Sequence, residues 1–478
     1  MTHKSEKYNL LEEEWIPVLW SNGTFSRVGI RTALLEAGRI RQIAASNPMD
    51  RVAMLRFLLA LLYWCRGNPP NGESTISRES FPAGWFTKLD ENRDCFNLLG
   101  DGKRFYQDRY AQRSRPSTDL IQEIPTGNNF WHFRHSTDNK DGLCPACCAM
   151  GLLRLPLFSV SGLPNLMAGI NGIPPLYVMI LGTSLLNTLS RNWMQLGQLG
   201  DPAWVQPDIR PASSEAVPLL TGLTLLSRRV WLHKPSVPAG KCGGCGAEKL
   251  ALIRTCEFQT AGKQENELWS DPHVVYLDKN PRKSIRAPDL TATGKFKMDR
   301  PWLDLLARIV EMGKFGLREG PISFLVVGFA TDQAKNIDVW ERTIGRLSRR
   351  SIQETAASLI RQWQKEGANL ARRIRPPKEK GSSRKYIEIP PVLDAIRPHV
   401  EHKVSEMASN LIVDDSQTWE HAAHEYRSMM AVIAKSLSPG FTTDAVRQRK
   451  LIASVAPAMR PGVEQTKKTR RTKKGDEK

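Results

Sequence analysis

Two cysteine pairs at C-x2-C spacing, Cys144-Pro-Ala-Cys147 and Cys242-Gly-Gly-Cys245, constrain this chain more than any other feature. Such spacing lets two thiolates turn toward one tetrahedral metal ion. The second pair sits in Gly240-Lys241-Cys242-Gly243-Gly244-Cys245-Gly246, whose glycines permit the tight turn of a metal knuckle. Four thiolates close the coordination shell, so the expected ion is structural zinc with no open position for substrate. The 94 residues between Cys147 and Cys242 far exceed the usual zinc-ribbon gap. If both pairs hold one ion, that ion fastens two distant parts of a large domain. The competing readings are two disulfides, or buried thiols that happen to fall at this spacing.

Composition favours the metal. Eight cysteines in 478 residues are too few for a disulfide scaffold. The polar start Met1-Thr2-His3-Lys4-Ser5-Glu6-Lys7 does not resemble a secretory signal. The longest apolar stretches, Met54 to Trp64 and Pro174 to Leu181, are too short to span a bilayer. A reducing cytoplasm is the expected location, with Cys65, Cys95, Cys148 and Cys256 as ordinary thiols. A formal charge of +19 points to a polyanionic partner, nucleic acid before membrane. The segment Glu341 to Tyr386 holds thirteen basic and four acidic residues, and Lys467 to Lys478 has seven basic against two acidic. A charge run is usually only a solvated face, but here two runs and the overall excess agree.

The pattern predicts an α+β chain in three parts. Residues 1–335 read as a large mixed α/β domain bearing the zinc site. Trp15 to Trp20 and Ile322 to Val327 have the character of strands, and Asp50 to Cys65 and Pro301 to Phe315 that of amphipathic helices. Residues 336–456 read as an antiparallel four-helix bundle. Its helices would run over Ile337–Arg373, Pro391–Leu411, Ser416–Leu437 and Thr442–Ala456, with a linker at Pro376-Pro377-Lys378-Glu379-Lys380-Gly381-Ser382-Ser383. Residues 457–478 have too few apolar groups to pack and read as a disordered basic tail.

Several motifs occur in a familiar order. They are Asn9-Leu10-Leu11-Glu12-Glu13-Glu14-Trp15-Ile16-Pro17-Val18, Glu123 to His135 followed by Leu143-Cys144-Pro145-Ala146-Cys147, Ala168 to Tyr177, Trp269-Ser270-Asp271-Pro272-His273, and Gly328 to Ala334. Together with the second knuckle they resemble the CasA family, the large subunits of type I-E CRISPR surveillance complexes (Cascade). The resemblance covers roughly residues 9 to 455 and leaves out the basic tail. It implies a non-catalytic, RNA-guided role. Guide RNA reads the target by base pairing, while protein reads the short adjacent motif, the PAM, on duplex DNA. The implied partners are the other Cascade subunits, the CRISPR guide RNA, double-stranded target DNA and a helicase-nuclease or variant nuclease.

The same resemblance assigns candidate residues. Lys263, in Gln259-Thr260-Ala261-Gly262-Lys263, matches a lysine offered to the minor groove from a loop after the second knuckle, with Lys249 nearby as an alternative register. Gln333, followed by Ala334, matches a glutamine wedge beneath the PAM; a plain polar turn before the first bundle helix is the other reading. Gly162 and Asn165, in Ser159 to Asn165, match a glycine-rich loop that approaches the groove. Relatives often have several glycines where this chain has one, so its PAM preference is expected to differ. Phe133, Arg134 and His135 are candidates to meet the 5′ handle of the RNA and the backbone subunits by stacking, or to pack beside the zinc site. Arg349, Arg350, Arg372 and Arg373 are candidates for phosphate contact on the displaced strand.

No H-E-x-x-H, phosphate loop or nucleophile elbow is present. His421-Ala422-Ala423-His424-Glu425 has the order of neither zincin nor inverzincin. Two other classes compete with the leading reading: a zinc-dependent nucleic-acid-processing enzyme, and an RNA-binding scaffold that does not read DNA. The first requires an open metal position, which four thiolates do not leave.

Overall fold

The computed structural model describes residues 8–69, 80–109, 113–121, 142–160, 169–211, 215–235, 240–249, 251–262, 268–276, 322–332 and 335–347. The chain divides into two compact units, Met1–Glu354 and Thr355–Lys478, and every described residue belongs to the first. The expected bundle helices beyond Leu347, the basic tail and the expected helix at Pro301 to Phe315 lie outside the described residues.

The chain opens with β1 (Ile16–Trp20), β2 (Phe25–Val28), α1 (Ile30–Leu35), β3 (Ile40–Ile43) and α2 (Pro48–Arg66). After α3 (Thr87–Glu91) and β4 (Ser114–Pro116) come α4 (Pro145–Phe158), β5 (Tyr177–Leu181), α5 (Leu185–Asn192) and α6 (Leu219–Thr224). Strands β6 (Arg228–Leu232), β7 (Gly240–Lys241), β8 (Glu248–Lys249), β9 (Thr255–Thr260), β10 (Ile322–Asp332) and β11 (Lys335–Leu347) complete the described elements. They form three small sheets, ordered β2-β1-β3, β11-β10-β5 and β4-β9-β6, plus the short pair β7-β8.

Helix α2 is the centre of this arrangement. Asn47 caps it by accepting from the Met49 amide at 2.9 Å, and Pro48 supplies the fixed φ of a first helical position. The sequence reads as amphipathic, yet nearly every residue from Met49 to Trp64 is buried. A helix apolar all round must be covered all round, and α2 packs against α4, α6 and β10. On one side Phe57 meets Phe105 and Trp204 edge-on, with centroids 5.3 and 5.6 Å away.

Asp50 and Arg56, which α2 takes inside, and the half-buried Arg51 are each paired. Asp50 accepts from Arg154 of α4, one of the two bonds measuring 2.8 Å. Arg51 holds Glu341 of β11 with contacts of 2.7 and 2.9 Å. Arg56 forks onto both oxygens of Asp271 at 2.7 and 2.9 Å. Both partners of this last pair are buried, Arg56 at 3% exposure and Asp271 at 0%. Bidentate geometry of this kind is the strong form of a charge-assisted bond.

The expected strand at Ile322 is present and longer than the apolar run, reaching Asp332. Phe324 to Phe329 are buried without interruption, as befits the middle strand of a sheet. The expected helix from Ile337 is corrected here: residues 335–347 are strand β11, antiparallel to β10 from Ile322↔Leu347 to Asp332↔Lys335. Ile337, Val339, Thr343 and Ile344 are β-branched and suit a strand. The helical spacing of Trp340, Ile344 and Leu347 was the weaker signal once β10 offered an edge.

Burial alone raises the Asp271 carboxyl, but the Arg56 guanidinium outweighs it and holds the group at about 2, below its ordinary 3.8. A depressed carboxylate stabilises the folded state above its unfolded value and stops doing so as pH falls through its folded value. Stability of this unit is therefore expected to drop by about 2 kcal/mol between pH 4 and pH 2 on account of Asp271. Asp271→Asn leaves Arg56 buried without its counter-charge and is expected to cost roughly 3–5 kcal/mol in urea denaturation at pH 7. The Arg56→Met/Asp271→Leu double variant should be more stable than Asp271→Asn; equal losses would mean the pair is not acting as a unit.

Candidate metal centre and loop bases

The two cysteine knuckles meet. The sulfurs of Cys144, Cys147, Cys242 and Cys245 all lie within 4.8 Å of one another, and those of Cys144 and Cys245 are 3.9 Å apart. Thiolates bound at ~2.3 Å to one tetrahedral ion stand about 3.8 Å from each other, so the donor set fits zinc. All eight cysteines are free of disulfides.

Each knuckle is shaped by its own element. Cys144 caps α4 in extended conformation and Cys147 lies in its first turn, so the helix start fixes the spacing of the two sulfurs. Cys242 and Cys245 occupy the turn between β7 and β8, closed by Cys242 N to Ala247 O at 2.9 Å and Gly246 N to Cys242 O at 2.8 Å. The knuckles also bind each other directly. The Cys144 amide donates to the Cys242 sulfur at 3.2 Å, and the Gly243 amide donates to Gly142 O at 2.9 Å.

Two glycines are required by close approach. Gly142 has φ +95°, and a Cβ there would fall 2.3 Å from Ile253 O. A Cβ on Gly244 would fall 2.9 Å from the Cys147 sulfur. Leu143 and Ile253 exchange backbone bonds of 2.9 and 2.8 Å, which bolts the first knuckle to the chain after the second.

Hydrogen bonds from Cys144 and Cys147 hold Cys242 well below the usual thiol range. A bond from Cys147 likewise brings Cys245 down to about 5 against the opposing effect of burial, and Arg27 of β2 donates to the same sulfur. Cys144 and Cys147 are raised in turn, Cys144 to about 11, so without a cation two sulfurs are favoured as thiolates while the other two keep protons that an ion would displace. By contrast, burial pushes Cys65 and Cys256 up to about 12, so these remain neutral thiols.

The nucleic-acid candidates fall at or beyond the edges of the described residues. Phe133, Arg134, His135, Gly162, Asn165, Lys263, Gln333, Ala334, Arg349, Arg350, Arg372 and Arg373 lie outside them, and nothing of the Lys249 side chain is described. Their neighbours are clear. Gln259 and Thr260, expected in the lysine loop, belong instead to β9, where they pair with Arg229 and Arg228 of β6. Strand pairing captures both before the chain leaves at Ala261. Asp332 and Lys335 pair with each other, so residues 333 and 334 join two hydrogen-bonded strand ends rather than a strand and a helix. A bulge between Ala330 and Thr331 lies just behind.

Sequence reasoning missed the polar contacts that organise these edges. Asn171 donates to Asp271 at 2.9 Å and accepts from the Trp269 indole at 2.8 Å. Two of the motifs that carry the family resemblance therefore touch. Ser227 and Arg228, which hold the other side, carried no signal in the sequence.

Known proteins place the chain in one family. The family described as CRISPR-associated protein Cse1 matches residues 9–436. CasA/Cse1 of Thermus thermophilus is 26% identical over 422 residues, spanning 80% of this chain and 77% of the relative. The fold is similar to crystal structures of Thermus thermophilus CasA (TM-score 0.67, 19% identity, 95% of this chain and 98% of that one) and Thermobifida fusca Cse1 (TM-score 0.68, 15% identity, 96% and 99%). It is also similar to a chain of a CRISPR RNA-guided surveillance complex (TM-score 0.65, 15% identity, 95% and 99%).

One zinc per chain is expected by metal analysis of the native protein. Cys242→Ser should lose it and destabilise the unit, because structural zinc contributes folding free energy directly. A native protein free of zinc would refute the assignment. With its two knuckles in contact and the family match running from Asn9 through both of them, the chain belongs to the CRISPR-associated Cse1 (CasA) family.

Proposed function

We propose that this chain reads the PAM on duplex target DNA, assists opening of the first base pairs and receives the nuclease that destroys the target. The Cse1/CasA family supplies the non-catalytic large subunit of type I-E Cascade. Membership across residues 9–436 carries the proposal. The charge of +19 supports a nucleic-acid partner, since phosphate contact is an electrostatic, sequence-independent source of affinity. The other Cascade subunits and the guide RNA complete the assembly, with Phe133, Arg134 and His135 facing the RNA handle. Four thiolates leave zinc no coordination position for substrate, so its role is to hold the fold.

The wedge reading of Gln333 gains support from the pairing around it. Two antiparallel strands joined by two residues make a narrow and stiff support, and the bulge behind them raises local twist. The Arg51–Glu341 pair fixes β11 to the central helix. An amide side chain at such a tip can both separate a base pair and hydrogen-bond the base it frees.

Lys263 and Gln333 act at different steps under this proposal. Lys263→Ala is expected to reduce discrimination between correct and incorrect PAMs by roughly 1–3 kcal/mol, the range of a good base contact. Gln333→Ala is expected to slow R-loop formation on intact duplex and to leave a target already unpaired beside the PAM nearly unaffected. R-loop rates on paired and pre-opened targets separate these outcomes. An equal defect on both substrates would make Gln333 a structural turn residue. A complex that binds guide RNA but shows no PAM dependence would instead favour the RNA scaffold.

The basic segment that includes Arg349, Arg350, Arg372 and Arg373 is proposed to meet phosphates of the displaced strand. Neutralising all four together is expected to weaken binding to every target alike and to flatten the dependence of affinity on salt. An unchanged salt slope would make them a solvated face.

A further inference from the structure

Strand β6 is an edge of the sheet ordered β4-β9-β6, and its side chains alternate strictly. Arg228, Val230 and Leu232 are buried, while Arg229 and Trp231 lie half-buried on the outward face. Opposite them on β9, Gln259 pairs with Arg229 and Glu257 with Trp231. The edge of β6 is taken up by residues 104–109. The Asp108 amide donates to Val230 O at 2.9 Å, the Leu232 amide to Gln107 Oε1 at 2.9 Å, and Arg104 Nη1 to Leu232 O at 2.7 Å. This segment carries its own arginines to the indole. The guanidinium carbons of Arg104 and Arg109 lie 4.0 and 5.0 Å from the Trp231 ring centroid.

Positive charge is concentrated here. Residues 100–109 and 228–234 hold six Lys or Arg against two Asp, a denser excess than in the chain as a whole. Of the two carboxylates, Asp108 is 4% exposed and pairs with Arg229 at 3.4 Å. Glu257, on the outward face, is engaged by His233 Nε2 at 3.0 Å. Arg104 and Arg109 are held by neutral acceptors instead. Arg104 donates to Gly100 O at 2.6 Å as well as to Leu232 O, and Arg109 donates to Asp101 O. A guanidinium bonded to a carbonyl keeps its whole charge and has donors to spare. Burial, and next Arg109, press the Arg104 guanidinium below its ordinary value; burial and then Arg229 do the same to Arg210, which donates to Ala261 O at 3.3 Å just past β9. Like charges crowded in this way are relieved by a polyanion.

We infer that Arg109 and Arg229, set around Trp231 on the outward face of the β4-β9-β6 sheet, grip the phosphate backbone of duplex DNA and take no part in reading its sequence. This role rests on the chain meeting duplex target DNA, as proposed above. Single strands are held by aromatic rings open to stacking, whereas the Trp231 ring already carries two guanidiniums. Guanidiniums fixed by a backbone carbonyl and a buried carboxylate form a rigid array. Such an array suits the regular phosphates of a duplex better than a flexible strand. Phosphate contacts of this kind fix position and supply affinity but carry no sequence information.

Binding of the assembled, guide-RNA-loaded complex to duplex targets, measured across a range of salt, tests the surface. Arg109→Gln/Arg229→Gln is expected to weaken binding roughly tenfold at physiological salt and to reduce the slope of log affinity against log salt by about two. The ratio of affinities for correct and incorrect PAMs should not move, nor should binding to a single-stranded target or uptake of guide RNA. Arg109→Glu alters an exposed side chain. It should act in the same direction if the double variant, which takes Arg229 from Asp108, fails to fold. An unchanged thermal unfolding midpoint marks the folded state in each. A salt slope in Arg109→Glu equal to that of the unaltered chain makes the face a structural stack and overturns the inference. An equal loss on the single-stranded target, or a loss of guide RNA, overturns the duplex assignment, and altered PAM discrimination overturns its independence of sequence. If the unaltered complex takes up guide RNA yet fails to bind duplex, the reading of the chain falls and this surface with it. Normal duplex binding with unaffected variants brings down the surface alone.

Discussion

Three charges on one buried helix set the geometry of everything around it. Asp50, Arg51 and Arg56 lie within two turns of α2, and each is met by a different part of the chain: Arg154 of α4, Glu341 of β11, and Asp271. Asp50 and Arg56 are buried and cannot return to water, while Arg51 is half-buried beside Glu341. Their partners must arrive in the right place or the fold is lost, because an unpaired buried charge costs several kcal/mol. The knuckle-bearing helix, the β10–β11 hairpin and the return segment at Trp269 are thereby indexed to a single rod.

The cluster of four cysteines is the second point of closure, and it works on different elements. It joins the N-terminus of α4 to the turn between β7 and β8, and Arg27 brings the edge strand of the first sheet to the same sulfurs. Helix α4 is common to both systems, through Cys144 and Cys147 at its start and Arg154 near its end. Thiolate chemistry and the buried ion pair therefore hold one helix at both ends.

What could be read from the sequence follows from which signals are local. The knuckles were legible because two cysteines three positions apart already carry the chemistry, and only their pairing across 94 residues needed the fold. The strand at Ile322 was legible from a continuous apolar run. Helix α2 was legible as a helix, but not as one buried on all faces, since covering it is the work of α4, α6 and β10. Strand β11 was misread because Trp340, Ile344 and Leu347 satisfy a helical period, and a neighbouring strand decides such ambiguous runs. The link between Asn171 and Asp271 spans a hundred positions and left no local trace. Both residues nevertheless lie in motifs that carried the family resemblance, so the resemblance had marked a contact before its geometry was known.

The meeting of the two cysteine knuckles closes a ring of chain, and the size of that ring has an evolutionary consequence. Between Cys147 and Cys242 run most of α4, all of β5, α5, α6 and β6, and also Val160, Asn171, Ser227 and Arg228. Closure entropy grows only as the logarithm of length, so even doubling the interval would cost about 0.6 kcal/mol more. A ring that is already long is therefore nearly indifferent to insertions and deletions. Segments within it can lengthen or shorten across a lineage while the thiolates keep the ring's ends together. Drift in segment length within the ring is thermodynamically almost free.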